Sequence, residues 1–204
     1  MNFRYPIFLD LTGKKCLAVG DHPEMAAKVQ GLRDAGARVE WKQREFHPDD
    51  LAGCFVVLTS LPDNSEVFAA CEQRNILCNA VDDPEHCRFS FGSIHRQGDL
   101  AIAISTNGSA PALAVRLKQR LQSQIGPEYG TLLTMLKDVR EEIQSRIADF
   151  DARRDLWYRI VDSDVLDQLR SGEEDAAGRS LHRMIDEAAN NISHSGTSGE
   201  DADR

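Results

Sequence analysis

"CLAVGDHPEMAAKVQGLRDAGARVEW", residues 16–41, decides the fold. The apolar run ending at Val19 reads as a strand, Gly20 as a tight turn, residues 24–35 as a helix that Gly36 stops, and residues 38–41 as a second strand. Such a succession opens a dinucleotide-binding βαβ unit. Its fingerprint needs one glycine for the turn, a second so that the backbone can approach a pyrophosphate, and a small residue for helix–strand packing. Gly20 fills the first role, while His22 and Met25 stand at the other two. The helix start still offers N–H groups to an anion. Gly20, Asp21 and His22 are therefore candidate cofactor-contacting residues, joined by Thr59 and Ser60 at the end of a later strand. Glu40 is the candidate for a ribose hydroxyl, and Lys42 and Arg44 for a phosphate. By itself the turn leaves two readings open, a cofactor turn and an ordinary α/β connection.

Working outward, further strands are expected at 15–19, 54–59, 76–80 and 100–105, with an additional β-like segment at 89–94 and a helix at 65–74. Strand–helix–strand alternation predicts an α/β fold, a Rossmann-like parallel sheet with helices on both faces, over residues 1–108. After Gly108 the pattern is helical. Ser109 is the expected N-cap and Pro111 lies in the first turn of a helix running to Gln124, which "IGP" at 125–127 breaks. Leu132, Leu133, Leu136, Val139, Ile143 and Ile147 then recur at helical spacing, and shorter helices are expected at 153–161, 163–170 and 173–189. Residues 109–190 thus read as a helical region too one-sided to stand alone, which predicts packing against a second copy of the chain. The polar stretch 191–204 is expected to be disordered.

Of 204 residues, 41% are hydrophobic, enough for a genuine core. The formal charge of −9 argues against nucleic acid and anionic membranes as partners. It is unevenly placed: residues 1–126 carry 14 Lys/Arg against 15 Asp/Glu, and residues 127–204 carry 10 against 18. The first part can receive an anion; the second reads as a solvated helical surface. Five cysteines without C-x-x-C spacing argue against a disulfide framework and for a reducing cytoplasm. No apolar run reaches the ~18 residues of a membrane span, and no signal-peptide pattern opens the chain.

Two further stretches can carry chemistry. In "LCNAVDDPEHCRFSFGSI", residues 77–94, Asn79 and Asp82 fall at a strand's C-terminal end, where open α/β sheets place ligands. Asp82, Asp83, His86 and Cys87 lie within six residues, fit for acid–base work or for a plain polar loop; His86 is a speculative metal ligand. The spacing does not match a structural zinc site. In "ISTNGSAPALAVRLKQRL", residues 104–121, Ser105, Thr106, Asn107, Gly108 and Ser109 form a turn whose hydroxyls and N–H groups suit carboxylates or phosphates.

In this order and spacing the stretches resemble the precorrin-2 dehydrogenase/sirohydrochlorin ferrochelatase family of sirohaem biosynthesis, including the N-terminal module of sirohaem synthase. "YPIFLDLTGKKCLAVG" (5–20), "LRDAGARV" (32–39), "LCNAVDDP" (77–84), "FSFGSIHRQGDLAIAIST" (89–106) and "NGSAPALAVRLKQRL" (107–121) carry the likeness. It implies a Rossmann-type domain followed by dimerisation helices, a homodimer, and NAD-dependent oxidation of a tetrapyrrole, precorrin-2, to sirohydrochlorin. In bifunctional members it also implies insertion of Fe2+. The family's catalytic aspartate falls on Asp82, and a hydroxyl residue near the tetrapyrrole on Thr106, with Ser105 beside it; Asn79 and residues 107–109 join the substrate-binding set. Members usually show V-G-G-G-x-V-A or V-G-A-G-x-V-A where this chain has "VGDHPEMA". The alternative is therefore a relative without dehydrogenase activity: a chelatase, a tetrapyrrole-binding module or a dimeric scaffold that has lost NAD binding.

Overall fold

The structure, a computed structural model, describes residues 5–43 and 45–195. The chain divides into two compact units, Met1–Phe91 and Gly92–Arg204.

The first unit is a parallel four-stranded sheet. Its strands are β1 (Lys15–Val19), β2 (Arg38–Lys42), β3 (Cys54–Thr59) and β4 (Leu77–Ala80), in the order β2-β1-β3-β4. Helix α1 (Met25–Asp34) joins β1 to β2, and α2 (Ser65–Gln73) joins β3 to β4. Side chains alternate along β1. Cys16 and Ala18 pack in the cluster with Met25, Val29 and Leu32 of α1, spaced at i, i+4 and i+7; Leu17 and Val19 pack with Val67, Ala70 and Cys71 of α2. A strand covered on both faces is what the unbroken run CLAV encodes. Full burial of each Leu or Val there contributes about 1.5–3 kcal/mol. Helix α1 ends where Gly36 turns into the left-handed region at φ 84°, its N–H donating to the Arg33 carbonyl.

From β1 the chain crosses to β2 on one side, then passes back to β3 on the other. The crevice of an open sheet lies at that reversal, beyond the C-terminal ends of β1 and β3. Gly20 and Ser60 stand there.

The second unit opens with an antiparallel hairpin of β5 (Ser93–Gln97) and β6 (Leu100–Ile104), turned by Gly98 at φ 56° and Asp99. A Cβ on Gly98 would lie 3.2 Å from the Cα of Gly130, so the turn and the helix behind it approach backbone to backbone. The helices are α3 (Pro111–Gln124), α4 (Pro127–Asp138), α5 (Arg140–Arg146), α6 (Phe150–Val161), α7 (Val165–Arg170) and α8 (Glu174–Ser195).

Several expectations are corrected here. The units divide at 91/92 instead of 108/109, because β5 and β6 pair with each other and form a sheet separate from β1–β4. The additional β segment begins at Ser93 and runs to Gln97, later than the expected 89–94, since Phe89 and Phe91 pack instead on the core of the first unit. Ala110, not Ser109, is the N-cap of α3; the N–H of Ala110 finds the Thr106 hydroxyl at 3.3 Å. Helix α8 runs through residues 191–195 of the expected disordered tail, because no proline or glycine interrupts it between Gly178 and Gly196; residues 196–204 lie outside the described residues. The helices also possess their own core, with Ile143, Ile147, Leu156, Ile160, Leu181 and Ile185 buried together. Asp149 caps α6 by accepting from the Ala152 N–H at 2.8 Å, and Arg153 donates to the Ile147 and Ala148 carbonyls beyond α5.

Candidate functional site

Gly20 shapes the turn after β1. It sits at φ 109°, and a Cβ there would lie 2.2 Å from the Ser60 hydroxyl and 3.0 Å from the Ser60 backbone. Only glycine fits. Its N–H donates to the Lys42 carbonyl at 2.8 Å, and its carbonyl accepts the Trp41 indole N–H at 2.9 Å. The turn is thus tied to the end of β2.

His22 follows. Its backbone N–H donates to the Ser60 hydroxyl at 3.3 Å, its carbonyl accepts the Met25 N–H at 2.8 Å, and its ring Nδ1 accepts the Glu24 N–H at 3.2 Å. A nitrogen that accepts carries no proton, so the ring proton belongs on Nε2. Nε2 lies 3.6 Å from a carboxylate oxygen of Asp82. The crevice of the first unit therefore brings Gly20, His22, Ser60 and Asp82 together. Asp21 is exposed beside them.

Asp82 itself is held at φ 58°, a left-handed conformation uncommon outside glycine that short polar residues tolerate best. Its side chain is 77% exposed. Several neighbours of Asp82, on β4 and in the loop after it, turn inward. Asn79, buried, donates to the Phe89 carbonyl at 2.8 Å. The Cys87 thiol lies 3.1 Å from the Ala80 carbonyl and accepts the Ala80 N–H at 3.2 Å. Asp83 accepts from the Asn64 amide at 3.1 Å and meets His86 Nδ1 at 2.7 Å; the Asn64 bond first, then His86, holds its carboxyl below the usual carboxylate range. Asn64 in turn accepts from the Thr59 hydroxyl at 2.8 Å and the Leu61 N–H at 3.0 Å.

These contacts reassign three residues. Thr59 is fully buried with its hydroxyl spent on Asn64, so it supports the loop from beneath and does not line the crevice. Asn79 likewise braces the loop, its amide turned to Phe89 instead of toward solvent. His86 is paired with Asp83 and edge-on to Phe68 at 5.2 Å, and no group of three or more His, Cys, Asp or Glu able to hold a metal occurs among the described residues. Of the candidates on β2, Glu40 lies between Lys15 and Lys42, 3.8 Å from each, and Lys42 is bound to Asp50 at 2.6 Å; Arg44 lies outside the described residues. Sequence reasoning missed Trp41 and Asn64. Nothing in their spacing announces an indole tied to the turn or an amide linking two strand ends.

In the second unit, Ser105 accepts from the Asn107 N–H at 3.1 Å and the Thr106 carbonyl from the Ser109 N–H at 3.0 Å. Asn107 and Gly108 have positive φ, 52° and 80°. Ser105, Asn107, Gly108 and Ser109 are exposed and Thr106 half-buried, so this turn presents polar groups to solvent ahead of α3.

As a dinucleotide site the first crevice has a fitting frame. Gly20 provides the cradle that a Cβ would fill, with Ser60 across from it, and residues 20–22 and Ser60 are the ones that would hold a pyrophosphate. The frame differs from the fingerprint at two side chains, His22 in the turn and Met25, which is buried in the core.

Comparison with known proteins bears on both units. Family models match three successive segments: one described as putative NAD(P)-binding over residues 7–93, one as sirohaem biosynthesis protein, central, over 97–124, and one as the sirohaem synthase dimerisation region over 128–185. The siroheme synthase of Thioalkalivibrio sulfidiphilus is 32% identical over 205 residues, an overlap of 89% of this chain and 42% of that protein. Siroheme synthase 1 of Pectobacterium atrosepticum is 32% identical over 208 residues, 91% of this chain and 43% of that protein. The chain thus spans less than half the length of these relatives. Among solved structures, one titled SirC, precorrin-2 dehydrogenase, superposes with a TM-score of 0.71 at 20% identity, covering 90% of this chain and all of that one; the likeness shows the fold.

Proposed function

The chain belongs to the sirohaem synthase family, and from that premise we propose that it oxidises precorrin-2 to sirohydrochlorin with NAD+ as acceptor. The observation that carries the reading is Asp82: an outward carboxylate on a strained backbone, at the crevice of a dinucleotide-type sheet. The oxidation removes a hydride and a proton from the macrocycle. NAD+, when bound, supplies the hydride acceptor. Asp82 takes the proton; before the cofactor enters, His22 Nε2 lies 3.6 Å from this carboxylate. Gly20, the His22 backbone and Ser60 hold the cofactor's pyrophosphate. In the second unit, the exposed turn at 105–109 carries N–H groups and hydroxyls of the kind that suit carboxylates.

The working unit is a homodimer. Supporting this, residues 128–185 match a dimerisation region, and Phe150, Tyr158 and Val161 form an exposed apolar stripe along α6. The setting is the reducing cytoplasm, in keeping with five cysteines that lack C-x-x-C spacing. Among the described residues no helix is long and apolar enough to cross a membrane.

A second reading, insertion of Fe2+ into sirohydrochlorin by a relative that has given up NAD, is favoured by one observation. Asp82 sets a proton acceptor beside an imidazole where the fingerprint has only backbone. Metal entry displaces two pyrrole protons, of which Asp82 takes one and solvent the other. The deciding experiment is an anaerobic incubation of the protein with precorrin-2, with and without NAD+. Sirohydrochlorin formed together with NADH, and only when NAD+ is supplied, is the expected result. No sirohydrochlorin with NAD+ present, alongside iron insertion into added sirohydrochlorin, would replace the first reading by the second.

A further inference from the structure

We propose that His22 sets the affinity of this chain for NAD+, its imidazole standing in for the pyrophosphate until the cofactor displaces it. The inference rests on the dehydrogenase reading and adds to it the residue that limits cofactor capture. A phosphate group brings acceptors only and must find N–H donors. Three backbone donors around the start of α1 are already engaged: the His22 N–H with the Ser60 hydroxyl, the Glu24 N–H with His22 Nδ1, and the Met25 N–H with the His22 backbone carbonyl. Only the Glu24 donor is held by the imidazole. The ring therefore occupies one donor of the helix start that the fingerprint leaves open to a ligand.

The hold is local and reversible. The ring is 36% exposed and keeps its place through the Glu24 N–H at 3.2 Å and Asp82 at 3.6 Å. Rotating it outward uncovers the Glu24 donor and separates His22 from Asp82, without disturbing Gly20, whose contacts to Lys42, Trp41 and Ser60 are made by backbone. NAD+ must supply that opening from its own binding energy. Asp21, exposed at the next position, adds a negative charge to the same approach. His22 and Asp82 are coupled, so cofactor binding and the freedom of the proposed base change together.

The test is an equilibrium titration of the full chain with NAD+ in three forms: wild type, His22→Gly and His22→Asn. Asparagine can accept the N–H two residues ahead through its own side-chain carbonyl, as the Nδ1 of His22 does, whereas glycine cannot. The expected result is a dissociation constant at least about tenfold lower in His22→Gly, the equivalent of one lost hydrogen bond to the competing side chain. His22→Asn should stay near the wild-type value, and its thermal melt controls for folding. Equal affinity in wild type and His22→Gly overturns the inference. So does absence of NAD+ binding in both, because His22 would then not be the group that decides. Precorrin-2 turnover by the wild type separates the two levels: NADH formed with equal affinities leaves the dehydrogenase reading standing while the role of His22 falls.

Discussion

After β4 the chain turns Asn79, Asp83, His86 and Cys87 inward upon the loop and its supports and sends Asp82 out, whereas after β1 it folds His22 back onto the start of its own helix. Both segments leave C-terminal ends of the same parallel sheet. One is braced so that a single carboxylate is presented at a fixed place. The other has a donor at its helix start held by its own imidazole, which a ligand would have to displace. A polar residue at a strand end is thus no guide to function until its partners are known. Asn79 and Asp82 look equivalent as letters and do opposite work.

The contrast can be broken at its strongest point first. Asp82→Asn keeps a residue type that tolerates positive φ and removes the proposed base, so turnover of precorrin-2 should fall at least about 100-fold with no change in melting temperature. A variant that turns over like the wild type would return Asp82 to the status of an ordinary loop residue. Gly20→Ala strikes the other segment: at φ 109° the new Cβ meets both the hydroxyl and the backbone of Ser60. A loss of about 2–3 kcal/mol in urea unfolding is expected. An unchanged midpoint would show that the turn after β1 yields as easily as an open loop.

The smallest effect concerns Asp83. Its carboxyl is depressed in the folded protein by Asn64 and His86, so its contribution is fully present above the unfolded carboxylate value of about 3.9 and is lost as pH falls through the lower folded value. The side chain is partly exposed, which limits the contribution to under about 1 kcal/mol. Comparing urea midpoints near neutrality with those at about pH 3, the wild type should lose slightly more stability than Asp83→Asn. A larger loss in the variant would show that the network does not favour the charged carboxylate.

Most of the fold was legible because it rests on period. The run 16–19, buried on both sides, and the i, i+4, i+7 face of α1 are written in the order of apolar residues, and β1 and β3 fall where that order places them. The division between the units was not legible, since pairing of β5 with β6 instead of with the main sheet leaves no mark on the hydropathy of either strand. At the crevice, the places of Asp82 and Gly20 were legible from position and from resemblance. Thr59 and Asn79 were misplaced because inward and outward orientations of a polar residue at a strand end share the same sequence. Asn64 illustrates the remaining gap: it accepts from Thr59 and donates to Asp83, an association made by the topology of β3 and β4 and by nothing in its immediate neighbours.

The account divides cofactor capture, at the turn after β1, from proton removal, at the loop after β4. The measurement that tests this division most directly is the NAD+ dissociation constant of the Asp82→Asn variant beside that of the wild type. The account predicts binding no weaker than wild type in a protein that no longer turns over, because the carboxylate serves the substrate and only steadies His22 from its far side. Affinity lost in step with turnover would contradict it, placing Asp82 within the cofactor site and leaving the chemistry without its base.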